Sequence, residues 1–192
     1  MENELPKRKS TRLQGLDYSS TGAYFITICT HNRENILSNI VWAIDEGMRG
    51  SSKQENIRCS VGALHEAPVI ELSKRGLIIK NVVDNLPDSL NVKIDKYIIM
   101  PNHIHIIAII KEENKIRAIR ESPLQVRSVI SKAVGYIKMN ASKEIHRIYG
   151  NTTVWQRGFH DHIIRDREDY ERHVRYICEN PQNWMYDELY GE

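Results

Sequence analysis

Two apolar, β-branched runs separated by a tight-turn signal constrain the fold of this chain more than any other feature. The runs are VKIDKYIIM and HIHIIAIIK, and the Pro-Asn pair between them favours a tight turn. We therefore predict two adjacent strands. Side chains alternate across a strand, so His103 and His105 share one face while Ile104 and Ile106 share the other. The isoleucine face suits a hydrophobic core, and the histidine face must meet something polar.

The two histidines predict a metal site. Neutral imidazoles side by side on one pleat can converge on one divalent cation. The alternative is a pair of exposed or hydrogen-bonded histidines that bind nothing, but two at this spacing, directly after a turn, favour the metal. His160 and His162 repeat the spacing in a later segment. They could form a second ligand pair.

The remaining patterns alternate between strands and helices. AYFITICTHN is a predicted first strand, and ELSKRGLIIKNVVDNLPD carries an apolar stripe with helical spacing that stops at Pro87. After the strand pair, Ser122 is a natural N-cap for a helix that ends at Gly150. TVWQRGFHDHIIRD is a predicted extended segment, and Asp166 caps a last helix, REDYERHVRYICEN.

The order strand, helix, two strands, helix, strand, helix predicts an α+β fold, with one antiparallel sheet and helices packed on one face. The chain has 192 residues, which suffice for one domain with a core and are too few for two comfortable ones. We expect a single domain over 1–192, with a flexible N-terminal arm over about 1–15 and an inserted loop over about 45–56.

Composition and charge limit the kinds of partner that the chain is expected to bind. No apolar run is long enough to cross a bilayer and the N-terminal residues are polar, so we expect a cytoplasmic protein with no membrane partner. The formal net charge of +2 does not by itself indicate a nucleic-acid binder. Basic residues nevertheless cluster in two regions, which can contact phosphates or form a solvated surface. They are Lys7, Arg8, Lys9 and Arg12, then Arg117, Arg120, Arg127, Lys132, Lys138 and Lys143.

The predicted last helix offers further groups to a cation. Tyr176 and Asn180 are four residues apart, so they lie one turn apart on one helix face. The Asn180 amide oxygen can bind a hard cation, and the Tyr176 hydroxyl could attack a group held on that cation. A tyrosine with its usual pKa of about 10 is a poor nucleophile and needs a metal or basic neighbours. The structural alternatives are a half-buried helix tyrosine and a helix C-cap before Pro181.

Three segments resemble the REP-associated tyrosine transposases, which are single-tyrosine relatives of insertion-sequence enzymes. MPNHIHII resembles their HUH motif (histidine, hydrophobic residue, histidine), VWQRGFHDHIIRDREDYERHVRYICENP their C-terminal block, and STRLQGLDYSSTGAYFITICTHNR their N-terminal segment. The resemblance covers most of the chain outside roughly 38–68. It implies a ferredoxin-like fold and a metal-dependent endonuclease and strand transferase, which acts on single-stranded or hairpin DNA through a 5′-phosphotyrosine intermediate.

Carried over residue by residue, the resemblance implies that His103, His105 and Asn180 hold Mg²⁺ or Mn²⁺ and that Tyr176 attacks the scissile phosphate. Tyr136 is the alternative nucleophile. The pattern Tyr-Ile-x-x-Asn-Pro around Tyr176 matches the family, which favours that tyrosine.

Predicted DNA contacts and the remaining alternatives complete the sequence-based interpretation. The resemblance implies that basic residues of the N-terminal segment contact the DNA backbone, and we predict Arg8, Arg12 and Arg157 as DNA-binding residues. Because His160 and His162 fall outside the family's metal motif, we interpret His162 as structural or DNA-facing. A domesticated relative that holds hairpin DNA or RNA without cutting it is the main alternative to an enzyme. A replication or plasmid-transfer nuclease of the wider HUH group is a second, but those carry further domains for which this chain has no room. The oligomeric state stays open between monomer and homodimer.

Overall fold

The computed structural model describes residues 22–42, 68–110 and 129–190. Their central element is a four-stranded antiparallel sheet with the spatial order β4–β5–β1–β6. The strands are β1 (Ala23–Cys29), β4 (Val92–Ile99), β5 (His103–Ile110) and β6 (His160–Ile164). β4 and β5 are joined at Pro101 by the predicted tight turn, which the Met100 amide closes on the His103 carbonyl oxygen at 2.9 Å.

Two helices complete a ferredoxin-like arrangement. α1 (Lys74–Asp84) lies between β1 and β4 in the chain, and α2 (Val129–Tyr149) lies between β5 and β6. Each of these connections passes over one intervening strand of the sheet, so all neighbouring strands run antiparallel. The predicted α+β class with an antiparallel sheet is confirmed. Within the residues that the structure describes, no helix combines the length and the apolarity needed to cross a bilayer.

The two faces of the sheet carry different packing. Ile104 and Ile106 pack with α1 and α2 in the larger core, as the strand alternation predicts. The third helix, α3 (Arg167–Glu179), lies on the opposite face, where Ile177 packs with Ile98 and Ile107 in a second core. The prediction that the helices pack on one face of the sheet therefore holds for α1 and α2. α3 covers the face that presents the two histidines.

Local signals fix the helix ends. The Ser73 side chain accepts a hydrogen bond from the Gly76 amide at 3.1 Å and so caps α1, and the Asp166 side chain caps α3 through the Asp169 amide at 2.8 Å. Gly150 follows α2 with a φ of +79°, which glycine adopts without strain. The predicted cap at Asp166 and stop at Gly150 are therefore present. The predicted helix start at Ser122 lies outside the described residues.

A small two-stranded sheet was not predicted. β2 (Ser38–Trp42) pairs antiparallel with β3 (Pro68–Leu72), directly before α1. The two strands are short and separated by 25 residues, so no local hairpin signal joins them. The expected N-terminal arm over about 1–15 and the inserted loop over about 45–56 lie outside the described residues.

We expect Gly76→Ala to lower the free energy of unfolding by about 1–3 kcal/mol. A Cβ at Gly76 would lie 2.1 Å from the backbone oxygen of Leu37, and a backbone atom cannot rotate away as a side chain can. Urea unfolding followed by circular dichroism measures the change. Gly135→Ala in α2 is the matched control. A methyl group there meets nothing within 4 Å, so alanine should stabilise the protein by about 0.5–1 kcal/mol. Equal stability of Gly76→Ala and wild type would contradict the close contact.

Candidate metal and nucleophile site

The histidine ring of β5 nearest the turn is held in one tautomer. Asn102 donates from Nδ2 to the backbone oxygens of Leu189 at 2.7 Å and Arg33 at 3.3 Å, which fixes the orientation of its amide. The Asn102 amide oxygen then lies 2.8 Å from Nδ1 of His103. An amide oxygen only accepts, so Nδ1 carries the proton and Nε2 carries a lone pair. Nε2 of His103 is buried without a hydrogen-bond partner.

The second histidine, His105, is also held at Nδ1 and unpartnered at Nε2. Its Nδ1 lies 2.9 Å from the hydroxyl of Thr27, its partner across the β1–β5 ladder, and its Nε2 is buried without a hydrogen-bond partner. Burial lowers the pKa of His103 to about 4 and the pKa of His105 well below its ordinary value. Both rings are therefore neutral near pH 7, which is the form that binds a metal.

Asn180 supplies a third acceptor to the same place. It is the C-cap of α3, and its Nδ2 donates to Oδ2 of Asp187 at 2.7 Å, which leaves Oδ1 buried without a partner. An unsatisfied buried acceptor costs about 1–3 kcal/mol. Three such atoms, on His103, His105 and Asn180, call for a ligand that takes lone pairs. The nitrogen and oxygen donors fit a divalent metal cation.

Asp187 is a fourth group at this site, and sequence analysis missed it. One of its carboxylate oxygens and ring nitrogens of His103 and His105 all lie within 4.8 Å of one another. The residue follows the short helical turn Trp184–Tyr186, and the buried Trp184 ring anchors that turn against the second core. No spacing rule points to Asp187. A tryptophan inside a polar segment was the one sequence signal that this segment returns to the core.

The hydroxyl of Tyr176 adjoins the same groups. Its ring centroid lies 5.2 Å from that of His105, and its hydroxyl donates to Oδ2 of Asp187 at 3.3 Å. Tyr176 is 43% exposed, so an outside group can reach it. Partial burial, followed by the negative charge of Asp187, raises the pKa of Tyr176 to about 12. In this state the hydroxyl is protonated.

Three other tyrosines differ from Tyr176 in position. Tyr136 packs against the larger core on the far side of the sheet, away from the histidines. Tyr170 donates its hydroxyl to Asp95 at 2.5 Å. Tyr186 is 88% exposed and lines a small pocket together with Tyr176.

A cleft of about 510 Å³ opens beside Tyr176. His105 and Phe25 line it from the sheet, and Arg172 and His173 line it from α3. The cleft carries charge of both signs, from Arg33 and Arg172 and from Asp187 and Glu188. The rings of Phe25 and His105 offer faces on which a flat ring such as a nucleobase can stack.

Only one of the predicted DNA-binding residues lies within the part of the chain that the structure describes. Arg8 and Arg12 lie outside the described residues. Arg157 is exposed in the loop before β6 and is not among the residues that line the cleft. His162 lies 2.9 Å from Asp169 through Nε2, and so it links β6 to α3. This contact supports the structural interpretation of His162.

Comparisons with known proteins find similar chains. The chain is 31% identical over 194 residues to an uncharacterized protein of Haemophilus influenzae, and the match covers 95% of this chain and 93% of that protein. It is 32% identical over 91 residues to a second protein of that organism, provisionally named a REP-associated tyrosine transposase, and this match covers 47% of the chain and 50% of the relative. No model of a protein family matches the chain.

One solved structure shares the fold. It is a REP-associated tyrosine transposase bound to a REP hairpin, and the two chains superpose with a TM-score of 0.55 at 16% sequence identity. The match covers 95% of this chain and 76% of the other. At this level of identity the likeness concerns the fold alone.

Proposed function

Because the chain belongs to the family of the REP-associated tyrosine transposases, we propose that it is a metal-dependent endonuclease and strand transferase for single-stranded DNA at a hairpin or repeat. One observation carries the proposal. Three buried atoms, on His103, His105 and Asn180, have no hydrogen-bond partner. The two histidines lie beside the half-exposed Tyr176, and Asn180 is hydrogen-bonded to Asp187, which is grouped with both histidines. The two histidines then act as an HUH motif, and Tyr176 forms a 5′-phosphotyrosine intermediate.

His103, His105 and Asn180 would hold the Mg²⁺ or Mn²⁺ ion, with Asp187 within reach as a fourth donor. When bound, such a cation offsets the charge of a phosphodiester and orients it for in-line attack. Asn102 prepares the first ring, because its amide oxygen keeps the proton on Nδ1 of His103 and so leaves the lone pair on Nε2. The Thr27 hydroxyl holds the second ring through Nδ1 of His105.

The chemistry on the protein side is the attack of Tyr176. Its hydroxyl gives up its proton to Oδ2 of Asp187, which accepts its hydrogen bond. The hydroxyl oxygen forms a bond to phosphorus, and the bond between phosphorus and the 3′ oxygen of the preceding nucleotide breaks. The 5′ end stays on Tyr176, while the other fragment leaves with a 3′ hydroxyl. The tyrosine ester conserves the energy of the phosphodiester, so rejoining needs no nucleotide cofactor. α3 couples the two parts of the site, since Asn180 lies one turn beyond Tyr176.

The test is a search for the covalent adduct. A hairpin with single-stranded flanks, taken from the DNA beside the gene, is incubated with the protein and Mn²⁺ and run on a denaturing gel. We expect a slow, protease-sensitive band when the label is at the 3′ end of the strand. With a 5′ label we expect a shorter, protein-free fragment, because the protein stays on the 5′ phosphate of the downstream piece.

Two controls separate cleavage from binding. Chelation of the divalent ion should remove the adduct, and a strand of the same composition without a hairpin should give less of it. A native-gel shift without any adduct, in Mg²⁺ and in Mn²⁺, would contradict cleavage and support the alternative of a non-cleaving hairpin-binding protein.

A further inference from the structure

We propose that His173 is the proton-transfer residue for the 3′ oxygen: it protonates this oxygen as the DNA strand leaves and deprotonates it when strands are rejoined. The inference rests on the proposed function. Attack by Tyr176 expels an alkoxide, which is a poor leaving group unless it is protonated as the bond breaks. In an in-line displacement the 3′ oxygen lies across phosphorus from the Tyr176 oxygen, so the chain must supply an acid that lines the same cleft as Tyr176 and can reach the far side of the phosphate.

The hydrogen bonds of His173 leave one ring nitrogen for this task. Nδ1 of His173 lies 2.7 Å from the backbone oxygen of Asp169 and 3.1 Å from its Oδ1. A backbone oxygen only accepts, so Nδ1 carries a proton in either charge state. Nε2 is then the nitrogen that gains and loses a proton. It donates when the ring is charged and accepts when the ring is neutral.

The position of His173 places its ring in the cleft that Tyr176 also lines. Residues three apart on a helix share one side, so His173 and Tyr176 both face the cleft that His105 lines. Phe25 fixes the arrangement, because its ring centroid lies 4.6 Å from that of His173 and 5.9 Å from that of Tyr176. The His162 ring stacks on His173 at 4.8 Å. Because the Phe25 and His162 rings both pack against it, the His173 ring has little freedom to rotate.

Asp169 places a carboxylate beside the His173 ring. Burial alone would raise the pKa of Asp169, but hydrogen bonds from His162, the Arg165 amide and Arg172 hold it well below its ordinary range. The carboxylate therefore stays ionised and compensates the charge of an imidazolium beside it. The opposing positive neighbours are Arg172 and a charged His162, and both share the same carboxylate.

His162, Asp169 and His173 have the composition of a second metal site, since one ligand atom of each lies within 4.8 Å of the others. Their hydrogen bonds favour proton transfer instead. The Nδ1 of His173 donates to a backbone oxygen, and Asp169 already accepts from Arg172 at 2.5 Å. These contacts occupy the atoms that a cation would need.

The step balances without another reactant. The Tyr176 hydroxyl gives its proton to Oδ2 of Asp187, which accepts its hydrogen bond. The bond between the Tyr176 oxygen and phosphorus forms, and the bond between phosphorus and the 3′ oxygen breaks. The electron pair of the broken bond goes to the 3′ oxygen, which takes the proton from Nε2 of His173. During rejoining the 3′ hydroxyl returns that proton to Nε2 as its oxygen attacks the phosphotyrosine, and the departing Tyr176 oxygen takes its own proton back from Asp187.

Two substrates test the proposal. One is the natural hairpin strand, and the other carries sulfur in place of the bridging 3′ oxygen at the cleavage site. A thiolate leaves without a proton, so the second substrate does not need an acid. We expect His173→Gln to slow single-turnover cleavage of the natural strand by about 10²–10⁴-fold, and to cleave the sulfur strand at nearly the wild-type rate. His146→Gln, on α2 at the other side of the sheet, should leave both rates unchanged.

The amplitude of adduct formed on the sulfur strand counts the active molecules, so a partly folded preparation lowers the amplitude and not the rate. His173→Asn, whose amide can keep the hydrogen bond to Asp169, is the second variant and should behave in the same way. Equal slowing of both substrates in these variants would mean that His173 is structural and would overturn the proposal. Failure of the wild-type protein to cleave either strand would overturn the proposed function itself, and the inference with it.

Discussion

Tyr176→Phe removes the covalent adduct and lowers the cleavage rate by about 10⁴-fold or more, while hairpin binding persists. The change deletes one oxygen atom and keeps the ring that packs against His105 and Phe25. The lost hydrogen bond to Asp187 is long, at 3.3 Å, and half-exposed, so the thermal midpoint should stay close to that of wild type. The measurements are the adduct on a denaturing gel, the shift on a native gel, and a thermal unfolding curve.

Two further tyrosines are the matched controls. Tyr186→Phe removes an exposed hydroxyl that lies near the same site, and the adduct should persist. Tyr170→Phe removes a partly buried hydrogen bond to Asp95. This change should lower the free energy of unfolding by about 1 kcal/mol and leave the adduct in place. An adduct that survives Tyr176→Phe and disappears with Tyr186→Phe would move the nucleophile to Tyr186. An adduct on Tyr136 would contradict the fold itself, because that residue lies across the sheet.

The parts of the site that depend on local rules could be predicted from the sequence. Strand alternation alone separates His103 and His105 from Ile104, and the structure has them on opposite faces of β5. Helix periodicity likewise puts Asn180 one turn beyond Tyr176. Both rules involve residues close together in the chain, so the backbone conformation fixes their relative directions.

The parts that depend on distant residues could not be predicted. Thr27 meets His105 because β1 and β5 pair in a particular register, 78 residues apart in the chain. Asp187 reaches the histidines because Trp184 docks against the second core. The side of the sheet that α3 covers is also a tertiary choice, since its apolar residues would suit either face. No spacing within the sequence encodes these contacts.

The turn at Asn32 and Arg33 has a backbone conformation that the sequence does not indicate. Asn32 and Arg33 have φ values of +50° and +57°, in the left-handed region that residues other than glycine seldom adopt. This turn carries the Arg33 carbonyl to the amide of Asn102. Asn102 thus joins the turn, the first histidine and the segment at Leu189. A tight-turn residue in the sequence is, in the structure, the residue that orients a candidate metal ligand.

We expect His105→Leu to abolish the stabilisation by Mn²⁺ and to lower the cleavage rate by about 10³-fold or more, because a cation contributes several kcal/mol to such reactions. Wild type should gain about 2.7 kcal/mol of stability at a Mn²⁺ concentration one hundred times its dissociation constant. Thermal unfolding with and without Mn²⁺, together with calorimetric titration, measures both effects without any DNA.

The stability of the same variant without metal shows whether His105 is a metal ligand or a residue that only stabilises the fold. Leucine removes the unpartnered Nε2 of His105, which raises the free energy of unfolding. It also leaves the Thr27 hydroxyl without its partner, which lowers the free energy of unfolding. The two effects are of similar size, so the metal-free proteins should differ by no more than about 1 kcal/mol. His162→Gln is the control for the other histidine cluster and should keep the full response to Mn²⁺. If His162→Gln loses that response and His105→Leu keeps it, the cation binds between β6 and α3, and the unpartnered acceptors beside Tyr176 need another explanation.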